Sequence, residues 1–281
     1  MGQTLHQNEH VAIIGAGNIG SAIAKGLAAV GRFKPEQITL TRRKIHLLES
    51  YREKGYVIHR ENREAVRQAG IIIVAVEPRQ IDGVLSEIAP ELDPARHLVI
   101  SVVSGVRMDR IQSKVGEAIP VVRAMPNTAV AIGESITCLT SADERALSAA
   151  RALFDSVGRT LVIDEEQMVA ATSLGACGIA FFLRAIRAAS QGGIEIGFQS
   201  KEALLIAAQT ARGAASLMLS QDNHPESEID KVTTPRGCTI SGLNQMEHEG
   251  FSSAMIKGIV TSAEKASRLY SPGNENSGNR D

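Results

Sequence analysis

What the sequence is short of narrows the field first. Only three cysteines occur in 281 residues, and Cys138, Cys177 and Cys238 stand far apart with no C-x-x-C pair. That argues against a disulfide scaffold or a structural zinc site and fits a reducing compartment. Tryptophan is absent, and only six phenylalanines and three tyrosines are present. Neither sign of charge predominates: 30 Lys plus Arg face 31 Asp plus Glu, a net charge of −1. Such a balance gives no electrostatic case for nucleic acid as a partner. No run reads as a membrane span, because Ile71–Val76 is strand-length and the apolar stretch after Cys177 soon meets Arg184. The opening MGQTLHQNEH lacks the apolar centre of a signal peptide, and His6 stands where N-myristoylation wants Ser or Thr. Histidines form no metal box; His6 and His10 are four apart with no third ligand, so no metal is expected. These absences describe a soluble, cytoplasmic protein, long enough for two domains.

What is present divides at about residue 165. Before it, short β-branched runs alternate with amphipathic stretches: Val11–Ile14, Gln37–Thr41, Tyr56–His59, Ile71–Val76, His97–Val103 and Val121–Ala124 read as strands. Ser135–Thr140 and Thr160–Ile163 add candidates at the edge. Strands separated by helical patterns imply βαβ units and a mostly parallel sheet. From Gln167 onward Val169–Ala189, Lys201–Ser220, Ile240–His248 and Ser252–Arg268 read as Ala-rich helices. The expected division is 1–165 for a dinucleotide-binding α/β domain, 166–270 for an all-α domain and 271–281 for a disordered tail. The stretch Ala170–Ala189 is apolar on nearly every side. It therefore belongs in the middle of a helical core or against another subunit, and the short helical half favours a homodimer.

Gly15-Ala16-Gly17-Asn18-Ile19-Gly20-Ser21 follows the first strand and opens a helix. In that position G-x-G-x-x-G is the fingerprint of a Rossmann-type dinucleotide site. Gly15 makes the turn, Gly17 admits the pyrophosphate, Gly20 packs helix on strand, and the helix N-terminus faces the phosphates. The second strand ends Thr41-Arg42-Arg43, with no acid to bond a ribose 2′-hydroxyl. Arg42 and Arg43 suit a 2′-phosphate instead, so NADPH is expected over NADH, which remains usable. Two further turns, Ala75-Val76-Glu77-Pro78 and Val102-Val103-Ser104, fall at strand ends that face the ligand crevice of such a sheet.

Lys231-Val232-Thr233-Thr234-Pro235-Arg236-Gly237-Cys238-Thr239 is a Thr-rich loop running into a helix. Read by pattern, it is either an anion cradle for a carboxylate or a well-capped helix start. Taken with GAGNIGSAIAKGL, VAVEPRQ, VVRAMPNTAVAIGES, LFDSVGRTLVIDEEQM, QGGIEIGF and HPESEIDKVTTPRGCTISGLNQMEHEGF, it gives the chain a resemblance to the pyrroline-5-carboxylate reductases. The resemblance runs from about Val11 to Tyr270. It implies reduction of the C=N bond of 1-pyrroline-5-carboxylate to proline, and a homodimer or a ring of dimers. It places a catalytic threonine at Thr239, carboxylate-binding amides at Gly237 and Cys238, and a substrate-binding acid at Asp222. It adds Asn62 and Lys231 to the coenzyme contacts.

The chain departs from that family at three places. Glu77 stands where the family has Lys, and Arg236 where its signature has a second glycine. Leu174-Gly175-Ala176-Cys177-Gly178-Ile179-Ala180 replaces a Ser-Gly-Ser-Gly-Pro-Ala segment. Two other readings compete. A β-hydroxyacid-type dehydrogenase needs a Lys or His to move the alcohol proton, and none occurs between Gln167 and Ser200. A non-catalytic dinucleotide sensor would have no use for Thr239.

Overall fold

A computed structural model describes residues 10–220 and 224–270; the expected disordered tail 271–281 and the candidate ligand His6 lie outside them. Eight strands form one sheet in the order β3-β2-β1-β4-β5-β6-β7-β8. They are β1 (Val11–Ile14), β2 (Ile38–Thr41), β3 (Val57–His59), β4 (Ile71–Val74), β5 (Leu98–Ser101), β6 (Val121–Met125), β7 (Ser135–Thr140) and β8 (Gly158–Val162). All neighbours pair parallel except β6 with β7. Each expected strand is found: β1 and β7 keep the expected ends, and the ends of the others are shifted by no more than two residues.

Parallel strands need crossovers, and these helices cover both faces of the sheet. They are α1 (Asn18–Ala29), α2 (Glu49–Arg52), α3 (Asn62–Gln68), α4 (Ile81–Ile88), α5 (Met108–Val115) and α6 (Glu144–Asp155). Alternate residues of β1 choose opposite sides. Val11 and Ile13 pack with Ile23 and Leu27 of α1 and Phe154 of α6. Ala12 and Ile14 pack with Val66 of α3, Leu85 of α4 and Ile111 of α5. The chain order reverses between β1 and β4, which opens a crevice at their C-terminal ends.

Beyond the sheet come α7 (Met168–Ala171), a π-helical segment (Thr172–Cys177), α8 (Gly178–Glu195), α9 (Ser200–Ser220), α10 (Pro225–Lys231), α11 (Cys238–His248) and α12 (Phe251–Ala266). The expected single helix over Val169–Ala189 is thus interrupted. Thr172 Oγ1 donates to Met168 O, and the Gly175 carbonyl accepts from the Asn127 amide at 3.2 Å. Side-chain bonds of this kind draw backbone carbonyls out of the α pattern. Helix α10 was not read from the sequence, although its signals are there: Pro225 at its first position, and Glu226 and Glu228 in its first turn.

By compactness the chain forms one unit from Met1–Cys177 with Ser262–Asp281, and a second from Gly178–Thr261. In the second, α8 and α9 cross closely: a Cβ added at Gly193 would lie 3.1 Å from Ala203 Cβ. Burial all round does not hold within one chain. Of α8 only Gly178 and Ser190 are buried, while Phe182, Leu183, Ile196 and Leu205 are more than half exposed. Two stretches, 165–195 and 200–220, are long and apolar enough to cross a membrane by length and composition. This corrects the reading that Arg184 breaks the run too soon, because the rest of the window is rich enough in Ala, Leu, Ile and Phe to outweigh it.

Candidate functional site

The glycine turn is built as its sequence requires. Gly15 has φ +94°, and a Cβ there would lie 2.8 Å from Ala75 O. At Gly20 a Cβ would lie 2.4 Å from Gly15 O and 3.1 Å from Ile13 Cγ2, so glycine is needed for α1 to pack this closely on the turn and β1. At Gly17 a Cβ would meet nothing within 4 Å, so that backbone faces open space. This is the pattern a pyrophosphate needs: two glycines for close packing and one for approach. Gly17 caps α1 with no side-chain bond, and the first turn, Asn18, Ile19 and Gly20, contains no acid. The positive end of α1 is left to an anion.

β2 braces this turn. Ala16 N–H donates to Thr41 O at 2.8 Å, and Gly15 N–H to Thr41 Oγ1 at 3.3 Å. The Thr41 hydroxyl donates to Asn62 Oδ1 at 2.7 Å, and Asn62 Nδ2 donates to Glu87 Oε2 at 2.9 Å. Asn62, expected to touch the coenzyme, is thus tied on both sides to the scaffold of the turn. Thr41 and Glu87 escaped the sequence reading, because nothing local marks a hydroxyl or carboxylate as a partner of a distant backbone. Ser21 Oγ and Arg42 Nη1 both donate to Ala16 O, at 3.3 and 3.2 Å. Arg42 therefore lies over the turn, while Arg43 is exposed and makes no ion pair among the described residues.

The turns after β4 and β5 reach the same crevice. Ala75 N–H donates to Ile14 O at 2.8 Å, and Val76 Cγ1 faces Gly15. Glu77 is turned outward and accepts from Arg79 at 2.6 Å; Pro78 then starts a short 3₁₀ turn. Val102 N–H donates to Val74 O at 3.0 Å, Val103 N–H to Ser101 Oγ at 3.4 Å, and Ser104 Oγ approaches Met125 Sδ at 3.8 Å.

In the second unit, Thr234 to Gly237 form a tight turn, with Gly237 N–H donating to Thr234 O at 2.9 Å. Pro235 and Arg236 occupy its centre. Arg236 has φ +60°, the only non-glycine residue with positive φ among the described residues. A Cβ at Gly237 would meet Thr234 Oγ1 at 2.5 Å, so only glycine fits there. The Gly237 amide, expected to hold a carboxylate, here donates to Thr234 O within the turn. The first-turn amides of α11, at Cys238, Thr239 and Ile240, have no backbone partner among the described residues. Thr239 is half-buried, and its hydroxyl makes no hydrogen bond among those residues. Lys231 is paired with Glu228 within α10, and Asp222 lies outside the described residues. Cys238 is an exposed thiol, whereas burial pushes the Cys138 thiol up. No cluster of metal-binding side chains occurs among the described residues.

Residues 165–269 match the family model for pyrroline-5-carboxylate reductase dimerisation, and residues 10–105 that for NADP oxidoreductase, coenzyme F420-dependent. Pyrroline-5-carboxylate reductase 1 of Dictyostelium discoideum is 51% identical over 95% of this chain, which spans about half of that relative's length. Pyrroline-5-carboxylate reductase 2 of the same organism is 45% identical, with 94% of each chain covered. Among solved structures, the Plasmodium falciparum pyrroline carboxylate reductase with NADP bound is similar at a TM-score of 0.85 and 25% identity. The match covers 94% of this chain and 99% of that one.

Proposed function

The chain belongs to the pyrroline-5-carboxylate reductase family, and from that membership we propose that it reduces the C=N bond of 1-pyrroline-5-carboxylate to give proline, with NADPH as preferred coenzyme and NADH as a weaker one. The observation that carries this reading is the glycine turn, where open space at Gly17 and an acid-free β2 end with two arginines fit a 2′-phosphorylated dinucleotide. When bound, the coenzyme supplies a hydride to the imine carbon.

The chain's own residues bind and orient. Gly15 to Ser21 hold the pyrophosphate, Arg42 and Arg43 flank the 2′-phosphate, and the 75–78 and 102–104 turns contact ribose and nicotinamide through backbone. The amides of Cys238 and Thr239 hold the substrate carboxylate at the N-terminus of α11. Thr239 Oγ hydrogen-bonds the ring nitrogen. The nitrogen enters protonated, as an iminium, so Thr239 positions it and no side chain has to ionise. Arg236 adds a positive charge to this loop where the family has glycine.

The working form is a cytoplasmic homodimer, alone or as a ring of dimers, in which the exposed apolar faces of α8 and α9 are covered by a second copy rather than by lipid; nucleic acid has no part in it. NADPH oxidation followed by absorbance, with and without 1-pyrroline-5-carboxylate, tests the reaction. No substrate-dependent oxidation would sink it.

A further inference from the structure

An ion pair between a buried arginine and a half-buried glutamate, next to the turn after β5, has no part in the chemistry above. Arg123, in the middle of β6, is 4% exposed, and its Nη1 donates to Glu165 Oε1 at 2.6 Å. The same oxygen accepts the backbone N–H of Met108 at 3.0 Å. Met108 begins α5, so one carboxylate oxygen joins β6 to the far end of the segment 102–107. The near end is fixed by Val102 N–H on Val74 O. Between them, Ser104 Oγ rests on Met125, two residues along β6 from Arg123.

The pair is only partly satisfied by hydrogen bonds. Arg123 Nε and Glu165 Oε2 are buried and have no hydrogen-bond partner among the described residues. A buried pair left partly unsatisfied is less favourable than apolar side chains of similar volume. Val121 and Met125, two residues to either side of Arg123, are buried among apolar neighbours, so the surroundings suit an apolar side chain. What the pair adds is a fixed position for the start of α5.

We propose that Arg123 and Glu165 are positioning residues for the nicotinamide half of the coenzyme. By tying α5 to β6 they hold the 102–104 turn in one place, so its backbone presents the same edge to the ring at every turnover. This rests on the reading of that turn as a coenzyme contact.

The test is the full-length double variant Arg123→Met/Glu165→Leu, which removes both charges together. Three readouts are compared with wild type: melting temperature, fluorescence titration of NADPH, and steady-state kinetics. Adenosine 2′,5′-bisphosphate, which has the phosphate-bearing half and no nicotinamide, is the control ligand. The variant should stay folded at the assay temperature and bind the bisphosphate unchanged. Bound NADPH should lose its fluorescence enhancement, and kcat should fall about 10- to 100-fold, with KM for the imine within about twofold. Wild-type kcat and NADPH fluorescence would overturn the proposal. So would an equal loss of both ligands, which marks a general loss of structure. If the double variant does not fold, Glu165→Gln is read well below its melting point against the same two outcomes. If wild-type protein reduces no cyclic imine, the assigned reaction fails, while the NADPH titrations still judge the pair.

Discussion

Thr239 and His97 illustrate how a single side chain's role depends on which of its atoms are already bonded. Among the described residues the Thr239 hydroxyl has no hydrogen-bond partner, which leaves it available to a ligand. Thr239→Ala should lower kcat/KM for pyrroline-5-carboxylate by about 10- to 100-fold, with NADPH affinity retained. Serine should recover part of the loss and valine none. A wild-type rate for the alanine variant would reduce Thr239 to a helix-start residue. His97 is the opposite case. It is 3% exposed, its Nδ1 accepts from the Asp93 N–H at 2.8 Å, and its Nε2 stands 3.3 Å from Val66 O. The ring is therefore neutral, with its proton on Nε2. Burial, and then the charge of Arg96, hold it below the usual histidine range. A folded-state pKa below the unfolded one gives stability that is full above about pH 6.5 and lost as pH falls through the folded value. Thermal melts between pH 7.5 and 5.5 should show wild type losing stability on acidification, and His97→Gln losing less. Equal slopes would show that His97 does not titrate in this range.

At the scale of the element, the proposed coenzyme preference turns on the end of β2. Arg42 bonds Ala16 O across the glycine turn, whereas Arg43 is exposed. The two arginines should therefore separate in experiment. On the proposed reading Arg43→Ala would remove only a charge-assisted bond to the 2′-phosphate, so NADPH affinity should drop about 10- to 100-fold and NADH affinity hardly at all. Arg42→Ala also frees the turn and should weaken both coenzymes. Titration of each variant with both coenzymes checks this; equal losses for Arg43→Ala would make that arginine a surface residue. The packing of helix α1 explains why Gly20 tolerates no side chain. Its approach at Gly20 is fixed by β1 packing, and a methyl group there would meet backbone, which cannot swing aside.

The molecule as a whole presents more apolar helix surface than a lone chain keeps in water. Ile196 is 79% exposed and Leu205 70%, within a region that matches a dimerisation family. Contiguous faces of this kind mark interfaces. Sedimentation of purified protein at micromolar concentration, in buffer free of detergent, should give a dimer or a multiple of dimers. A monomer would contradict the interface, and a protein soluble only in detergent would direct the same helices to lipid.

Local rules determined much of this protein. Alternating β-branched runs set all eight strands, because period and turn residues act over a few positions. The order G-x-G-x-x-G placed the glycine turn before α1, and Pro235 with Gly237 marked the tight turn before α11. Tertiary structure decided the rest, where partners are far apart in sequence. It gave Asn62 to Thr41 and Glu87, took the Gly237 amide for Thr234, and opened a π-turn where Gly175 meets Asn127. It also joined Arg123 to Glu165 across 42 residues. A hydrogen-bond donor does not reveal its acceptor in the chain's order; only packing brings the two within 3 Å, and that packing settles whether a polar residue binds a ligand or holds the residue that does.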